Sequence, residues 1–435
     1  MELDEKYIDS LAPDAASISA GKGLVNISKW ANIGFNEIAL WGECQGSGSK
    51  PYKTQIDIRE NAFKCSCPSR KFPCKHGLGL MYLFTKYKQN FSDTPPNWVQ
   101  EWLSSRDEKK QKQEEKKDKV KEISPEQKAK TEGKRFDSIN KGLDDLEIWL
   151  NDFIRRGFDS IKMESYSFFN NIASRMVDYK ASGLSRRINE LSSISAVNSN
   201  NDLILKKISK IHLILKAFRN IEKLPNLIQE DLKTELGITK NQDEILNLES
   251  INDKWLVLGN LIEEEDKIKT KKIFLFGLKT KKIALVLDFS VSKKPFSFLE
   301  LTPERFFEGD LIYYPSNLEL RAIFKNKELS SNEVLNISDN NIESVYNLYS
   351  DSLAKNPFIE KIPTFISDVN VYCKDENSFI IFDENKNFLP ISKKFKNNWD
   401  LLLKVKNNKI NIFGEFDGEN FLPVTIFNQD YFYSF

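Results

Sequence analysis

The sequence predicts an α+β protein built from regions that differ in composition along the chain. Three observations lead to this expectation. Cysteine and histidine cluster near the N-terminus, helical periodicity fills the middle of the chain, and short β-rich runs separated by turn residues follow from residue 251 onward. With 435 residues, the chain is long enough for two or three domains that each bury a core.

The overall composition indicates a soluble protein of a reducing compartment. The formal net charge is +1, so any affinity for polyanions must be local. The opening MELDEKYIDS lacks the basic and then apolar order of a secretory signal, and no apolar run approaches the roughly 20 residues that span a bilayer. Five cysteines do not describe a disulfide framework. We therefore expect a cytoplasmic protein in which clustered thiols are metal ligands.

Four regions are predicted, with boundaries at residues 103, 134 and 250. Residues 1–103 form the first, in which "IALWGEC", "YKTQIDI" and "AFKCSC" predict a three-stranded meander. A helix is expected in "HGLGLMYLFTKYK", with Leu80, Met81, Phe84 and Tyr87 on its buried side. Residues 104–134 are mostly Lys, Glu and Gln, which is typical of a solvated, charged linker.

The region 135–250 has the pattern of a helix bundle. In "DDLEIWLNDFIRRG" the residues Leu146, Leu150 and Phe153 share one face, and Gly157 is a plausible stop. "NDLILKKISKIHLILKAFRNIEKLP" repeats the pattern and is closed by Pro225. Several such helices would pack as a small bundle.

Residues 251–435 are predicted to be an antiparallel, β-rich region interrupted by a helix near 342–354. The stretch "LLLKVKNNKINIFGEFDGENF" is expected to hold strands, with hairpin turns at Asn407-Asn408 and at Asp417-Gly418.

The strongest chemical signal is the spacing Cys65-x-Cys67-x6-Cys74-x-His76. Zn²⁺ in structural sites takes four Cys or His ligands in a tetrahedron. Because all four positions are filled by protein, the pattern predicts one structural zinc ion and leaves no open position for a catalytic water. Three thiolates and one imidazole around Zn²⁺ leave a formal charge of −1, which the neighbouring cations Lys64, Arg70, Lys71 and Lys75 would balance.

This spacing, with a meander before it and a helix after it, resembles a SWIM zinc finger of the kind found in bacterial proteins of about this length. Weaker similarity extends to "SGLSRRI", "LVLDFSV" and "LIYYPSNLELRA". The resemblance implies a module that binds DNA or protein, and a protein associated with MoxR-type AAA+ ATPases and von Willebrand A-type proteins. It implies the four metal ligands and no catalytic residue.

Two interpretations of the basic stretch around the cluster stay open. Nine Lys and Arg stand against two acids between Lys50 and Lys88, a local charge of +7. That density suits phosphate contacts, and the candidate nucleic-acid-binding residues are Lys53, Lys64, Arg70, Lys71 and Lys75. The alternative is that these cations balance the metal site and solvate a small module.

The sequence gives little support for an enzymatic function. "SAGKGLVN" lacks the spacing of a phosphate-binding loop, and no GxSxG motif is present. Asp288-x-Ser290-x-Ser292 matches the start of a metal-dependent adhesion site, but the runs around it predict a β-meander. We expect a non-catalytic adaptor that binds a protein or DNA. A nucleic-acid binder is the alternative, and a hydrolase in the C-terminal half is a more remote one.

Overall fold

The computed structural model describes residues 4–46, 50–59, 61–69, 71–118, 125–157, 166–197, 201–265, 268–291, 295–333, 340–375, 378–406, 408–428 and 431–435. The chain forms two compact units. The first comprises Met1–Glu122, Ile262–Lys271 and Asp288–Thr302, and the second comprises Ile123–Leu261, Lys272–Leu287 and Pro303–Phe435. Helices followed by antiparallel sheets confirm the α+β class.

The first unit combines helices with an antiparallel sheet that carries the cysteine cluster. Its helices are α1 (Glu5–Leu11), α2 (Ala15–Lys22), α3 (Lys75–Tyr87) and α4 (Asn97–Asp118), and its sheet runs in the order β1 (Trp30–Phe35), β2 (Ala39–Cys44), β3 (Tyr52–Asp57) and β4 (Ala62–Cys65).

The expected meander corresponds to β2, β3 and β4, and β1 adds a strand that the sequence did not predict. Its register shifts between Ala31 and Gly34, and Asn32 has a φ of 49°. This irregularity breaks the apolar alternation by which a strand is recognised.

Helix α3 is buried on nearly all sides, from His76 to Phe84. On one side it packs with the sheet residues Leu40 and Ile56 in a common core. On another side α2 comes very close, because a Cβ added at Gly21 would lie 3.0 Å from the Cβ of Leu78. The glycine therefore allows the close approach that encloses the helix.

The opposite face of the sheet is covered by α4. Trp41 is 1% exposed and shares a small core with Trp98, Val99 and Leu103. The part of the predicted linker that the structure describes is helical, because α4 runs to Asp118 and the next helix begins at Pro125.

The second unit begins with the predicted helical region. Its helices are α5 (Pro125–Arg156), α6 (Tyr166–Asp178), α7 (Ser182–Val197), α8 (Asn201–Arg219), α9 (Asn226–Glu235) and α10 (Gln242–Leu246). The predicted apolar faces meet in one core that includes Leu146, Phe153 and Ile211. Helix α5 ends just before Gly157, whose φ is +77°, so the predicted stop is confirmed.

The rest of the chain is β-rich, as predicted. Within the described residues, one sheet has the order β10-β8-β5-β6-β7 with β9 beside β8, and another has the order β13-β12-β11-β14-β15-β16. The elements are β5 (Ile251–Glu265), β6 (Ile268–Gly277), β7 (Ile283–Val291), β8 (Phe306–Tyr313), β9 (Ala322–Phe324), β10 (Glu328–Ser330), α11 (Ile342–Lys355), β11 (Ile362–Asp375), β12 (Ser378–Phe382), β13 (Phe388–Pro390), α12 (Asn398–Val405), β14 (Ile410–Phe416), β15 (Phe421–Phe427) and β16 (Phe432–Ser434). The two sheets share a core in which the ring centroids of Phe274 and Phe413 lie 5.4 Å apart.

The strand expected over Leu401–Lys406 is wrong, because these residues form most of α12 and its cap. A strand would place residues 401, 403 and 405 on one face, but Leu401 and Val405 are buried whereas Leu403 is 70% exposed. Lys406 ends the helix in the left-handed conformation, with φ at 45°. Asn407, half of the expected turn, lies outside the described residues. The turn at Asp417-Gly418 is confirmed between β14 and β15, with Gly418 at a φ of 91°.

Candidate metal centre

The structure brings the four predicted ligands together at the junction of β4 and α3. Cys65 is the last residue of β4, and Cys67 lies in the loop that follows it. Cys74 is the N-cap residue of α3, and His76 lies in the first turn of that helix. The ligand atoms of all four residues lie within 4.8 Å of one another. The folded chain therefore forms the cluster that the spacing predicted.

The distances suit a tetrahedral zinc site. Zn–S bonds of about 2.3 Å and Zn–N bonds of about 2.0 Å place neighbouring ligand atoms roughly 3.5–3.8 Å apart. The sulfur of Cys65 lies 3.7 Å from Nδ1 of His76. Cys74 and His76 are 7% and 4% exposed, and the other two ligands are half-buried.

The electrostatics of the three thiols favour a bound cation. A hydrogen bond from Cys74 lowers the pKa of Cys65, whereas burial raises the pKa of Cys67. The same hydrogen bond to Cys65, together with burial, raises the pKa of Cys74. Negative charges on three sulfurs this close together would repel one another. A divalent cation would supply the charge that lets all three sulfurs deprotonate, so the donor set fits Zn²⁺.

The basic residues around the cluster differ in how they are engaged. Arg59 makes a two-pronged contact with the buried carboxylate of Asp57 and also reaches Asp107, and Lys71 pairs with Asp14 at 2.7 Å. Asp14 and Asp107 lie outside the basic stretch, so their carboxylates reduce its local positive charge. Asp57 belongs to the stretch itself.

Lys53 and Lys64 are exposed side chains on the face of the sheet that α4 covers. They share this face because Lys64 stands opposite Gln55, which is two residues from Lys53 along β3. The ammonium of Lys53 lies 5.5 Å from the ring of Trp98. Lys75 is exposed at the start of α3, and Arg70 lies outside the described residues.

Cys44 and Asp288, which lie outside the ligand set, have structural roles. Cys44 is fully buried, and burial raises its pKa to about 11. Asp288 is 3% exposed and accepts a hydrogen bond from the backbone N–H of Phe298 at 2.7 Å, so its carboxylate has a partner without a cation. Ser292 of the same motif lies outside the described residues.

The fold and the site define a zinc-finger protein with a Cys3His ligand set. Comparison with family models identifies residues 52–83 as a SWIM zinc finger and residues 134–236 as a SWIM-associated four-helix bundle domain. The chain thus contains a SWIM zinc finger and, further along, the helix bundle associated with such fingers. Neither a curated protein nor a solved structure gives a significant match to it. Among the described residues, no helix is both long and apolar enough to cross a membrane.

Proposed function

We propose that this chain is a non-catalytic adaptor in which one structural Zn²⁺ maintains a SWIM finger that contacts a protein partner. The observation that carries the proposal is the set of four protein donors within 4.8 Å of one another. Four such ligands complete a tetrahedral shell and leave no position for a substrate or a water molecule. The zinc then stabilises the module, and the function lies on the module's surface.

A protein partner is favoured over DNA because part of the basic stretch is already neutralised. Arg59 and Lys71 have carboxylate partners within the same unit. The resemblance to SWIM proteins makes a MoxR-type AAA+ ATPase, or a von Willebrand A-type protein, the first partner class to examine. A cytoplasmic location would keep the thiols reduced and available to the metal.

DNA binding is the second candidate, because the side chains of Lys53 and Lys64 are both exposed on the same side of the sheet, beside α4. Two cations on one face can follow a phosphate backbone. Lys75 would add a third cation near the metal.

Metal analysis of the full-length protein tests the first part of the proposal. We expect one zinc per chain in the wild type, loss of zinc in Cys74→Ser, and full zinc content in Cys373→Ser, which removes a half-buried cysteine of the second unit. Equal zinc content in the two variants would contradict the assignment of the site.

A titration of the zinc-loaded chain with fluorescent double-stranded and single-stranded DNA separates the two candidates. We expect no micromolar binding at physiological salt and co-elution of the chain with a purified MoxR-type ATPase. Micromolar DNA binding with a steep salt dependence, weakened by Lys53→Glu/Lys64→Glu, would instead support the nucleic-acid candidate.

A further inference from the structure

Thr54 is a polar side chain buried in the core of the zinc-finger module. It is 1% exposed, and its neighbour on the same face of β3, Ile56, is 0% exposed and apolar. A buried hydroxyl that makes no hydrogen bond is destabilising, because it loses the hydrogen bonds that it made to water in the unfolded chain. The hydroxyl of Thr54 lies 3.3 Å from the sulfur of Cys65, which is a metal ligand. The sulfur is therefore the partner that offsets the burial of this hydroxyl.

The strand register fixes this contact. Thr54 stands directly opposite Cys65 in the antiparallel pair of β3 and β4. Directly opposed residues have Cβ atoms about 4.5–5.5 Å apart, so the two side chains meet whenever the strands pair. On the same face of β3, the ring of Tyr52 lies 4.9 Å from the ring of His76. Strand β3 supplies no ligand, yet it places side chains against two of the four.

The direction of the hydrogen bond follows from the chemistry of the bound sulfur. A metal-bound thiolate has no proton, so it can only accept, and the threonine hydroxyl must donate. An O–H···S⁻ bond withdraws negative charge from sulfur in a centre whose formal charge is −1. The bond stabilises the deprotonated sulfur that the metal binds, and a sulfur with less negative charge reacts more slowly with electrophiles and oxidants.

We propose that Thr54 is a positioning residue of the metal centre. Its hydroxyl donates a hydrogen bond to the metal-bound thiolate of Cys65, orients that ligand and moderates its charge. The inference rests on the proposed zinc site and adds a residue that the ligand spacing does not contain. Side chains that hydrogen-bond to a metal ligand contribute about 10–100-fold to the affinity of the site for its metal.

The test compares three variants of the full-length protein loaded with Co²⁺ or Zn²⁺. Thr54→Val keeps the shape and removes the hydroxyl, whereas Thr54→Ser keeps the hydroxyl and removes a methyl group. Thr364→Val is the matched control, since Thr364 is a strand residue of the second unit that is 2% exposed. Zinc affinity is measured by competition with a chromophoric chelator, and the sulfur-to-cobalt charge-transfer band is read from the absorption spectrum.

We expect Thr54→Val to bind zinc about 10-fold more weakly and to move the charge-transfer band to lower energy, because the sulfur regains charge. Thr54→Ser should resemble the wild type in both measurements, and Thr364→Val should change neither. A role in packing alone predicts the reverse order, with serine more disruptive than valine. That order, or a band unchanged in Thr54→Val, would overturn the inference.

The outcomes for the inference and for the proposed function are separable. If the wild type takes up no stoichiometric metal, the proposed zinc site fails and the inference fails with it. If the wild type binds one metal and Thr54→Val matches it, only the role of Thr54 is refuted. Should Thr54→Val fail to fold, a comparison of Thr54→Ser with Thr54→Ala isolates the hydroxyl, because these two variants differ in that group alone.

Discussion

The polar cluster of the first unit is short of positive charge, whereas a second polar cluster in the other unit is balanced by its own side chains. In the first unit, three thiols and an imidazole converge, and deprotonation of the thiols leaves three negative charges. In the second unit, Arg187 is 6% exposed and pairs with both Glu235 and Glu360. Lys207 pairs with Glu360 and Glu190 at 3.1 and 3.0 Å.

The two units therefore obtain their stability from different sources. Under the proposed function the Cys3His cluster takes up a metal cation from solution, and the fold of its module depends on that cation. The Arg187 cluster joins the bundle to the start of β11 with charges that the chain already carries. Phe358, a residue of the loop before β11, lies in the core of the bundle and adds an apolar contact to the same junction.

Metal removal should give the largest effect and should affect one unit only. We expect chelation of zinc to unfold the finger, because structural zinc sites contribute about 10–16 kcal/mol of apparent binding free energy. Hydrogen exchange followed by mass spectrometry should show loss of protection in peptides of α3 and β4 and unchanged protection in α8. Equal loss in α8 would show that the second unit also depends on the metal.

Breaking the balanced cluster should give the next largest effect. Arg187→Met leaves Glu235 and Glu360 without their buried partner, so we expect a loss of about 3–5 kcal/mol in the free energy of unfolding of the second unit. This loss is measured by unfolding the protein in urea while hydrogen exchange is monitored in the peptides of the bundle.

The control for Arg187 is Arg219→Met, in which the arginine pairs with Asp144 and Glu147 but is 33% exposed. Surface pairs of this kind contribute less than about 1 kcal/mol. Similar losses in the two variants would mean that burial does not distinguish the clusters.

Acid should weaken the balanced cluster through Glu360. Burial alone would raise the pKa of Glu360, but Lys207 and Arg187 outweigh it and hold the pKa at about 2, below its ordinary value of 4.5. Between these values the unfolded chain binds more protons than the folded one, so this contribution is complete above pH 4.5 and is lost as the pH falls toward 2.

Glu360→Gln should flatten that part of the acid-unfolding profile. We expect a contribution of about 1–2 kcal/mol, reduced by solvent screening because the side chain is 36% exposed. Protection of the bundle peptides is the appropriate measurement, because acid also protonates the zinc ligands of the other unit. A profile identical to that of the wild type would exclude Glu360 as the titrating group.

The smallest expected effect concerns a position outside both clusters. Lys406 has a left-handed backbone at the end of α12, which glycine adopts without strain. Lys406→Gly should therefore raise the free energy of unfolding by about 0.5–1 kcal/mol. Lys404→Gly, inside the helix, should lower it by about 1 kcal/mol. A loss at both positions would argue against the left-handed cap.

The spacing of residues along the sequence predicted correctly those features that depend on residues close together in the chain. Two ligand pairs, each separated by one residue, identified the metal site, and Gly157 and Gly418 marked a helix end and a hairpin. The segment at Leu401–Lys406 was misassigned because three leucines and a valine fit strand and helix patterns equally well over so few residues. Its packing against β11 decides the matter, since Leu401 and Val405 join the core of that sheet.

Residue type and short-range periodicity were enough to predict the four ligands, the α+β class and the apolar faces of the bundle helices. Three features became visible in the folded chain alone: α4 covers the second face of the sheet, Asp14 and Asp107 pair with two cations of the basic stretch, and Thr54 contacts Cys65. Each of these contacts joins residues at least 11 positions apart in the chain. Such pairings depend on strand register and close packing, which neither composition nor local periodicity encodes.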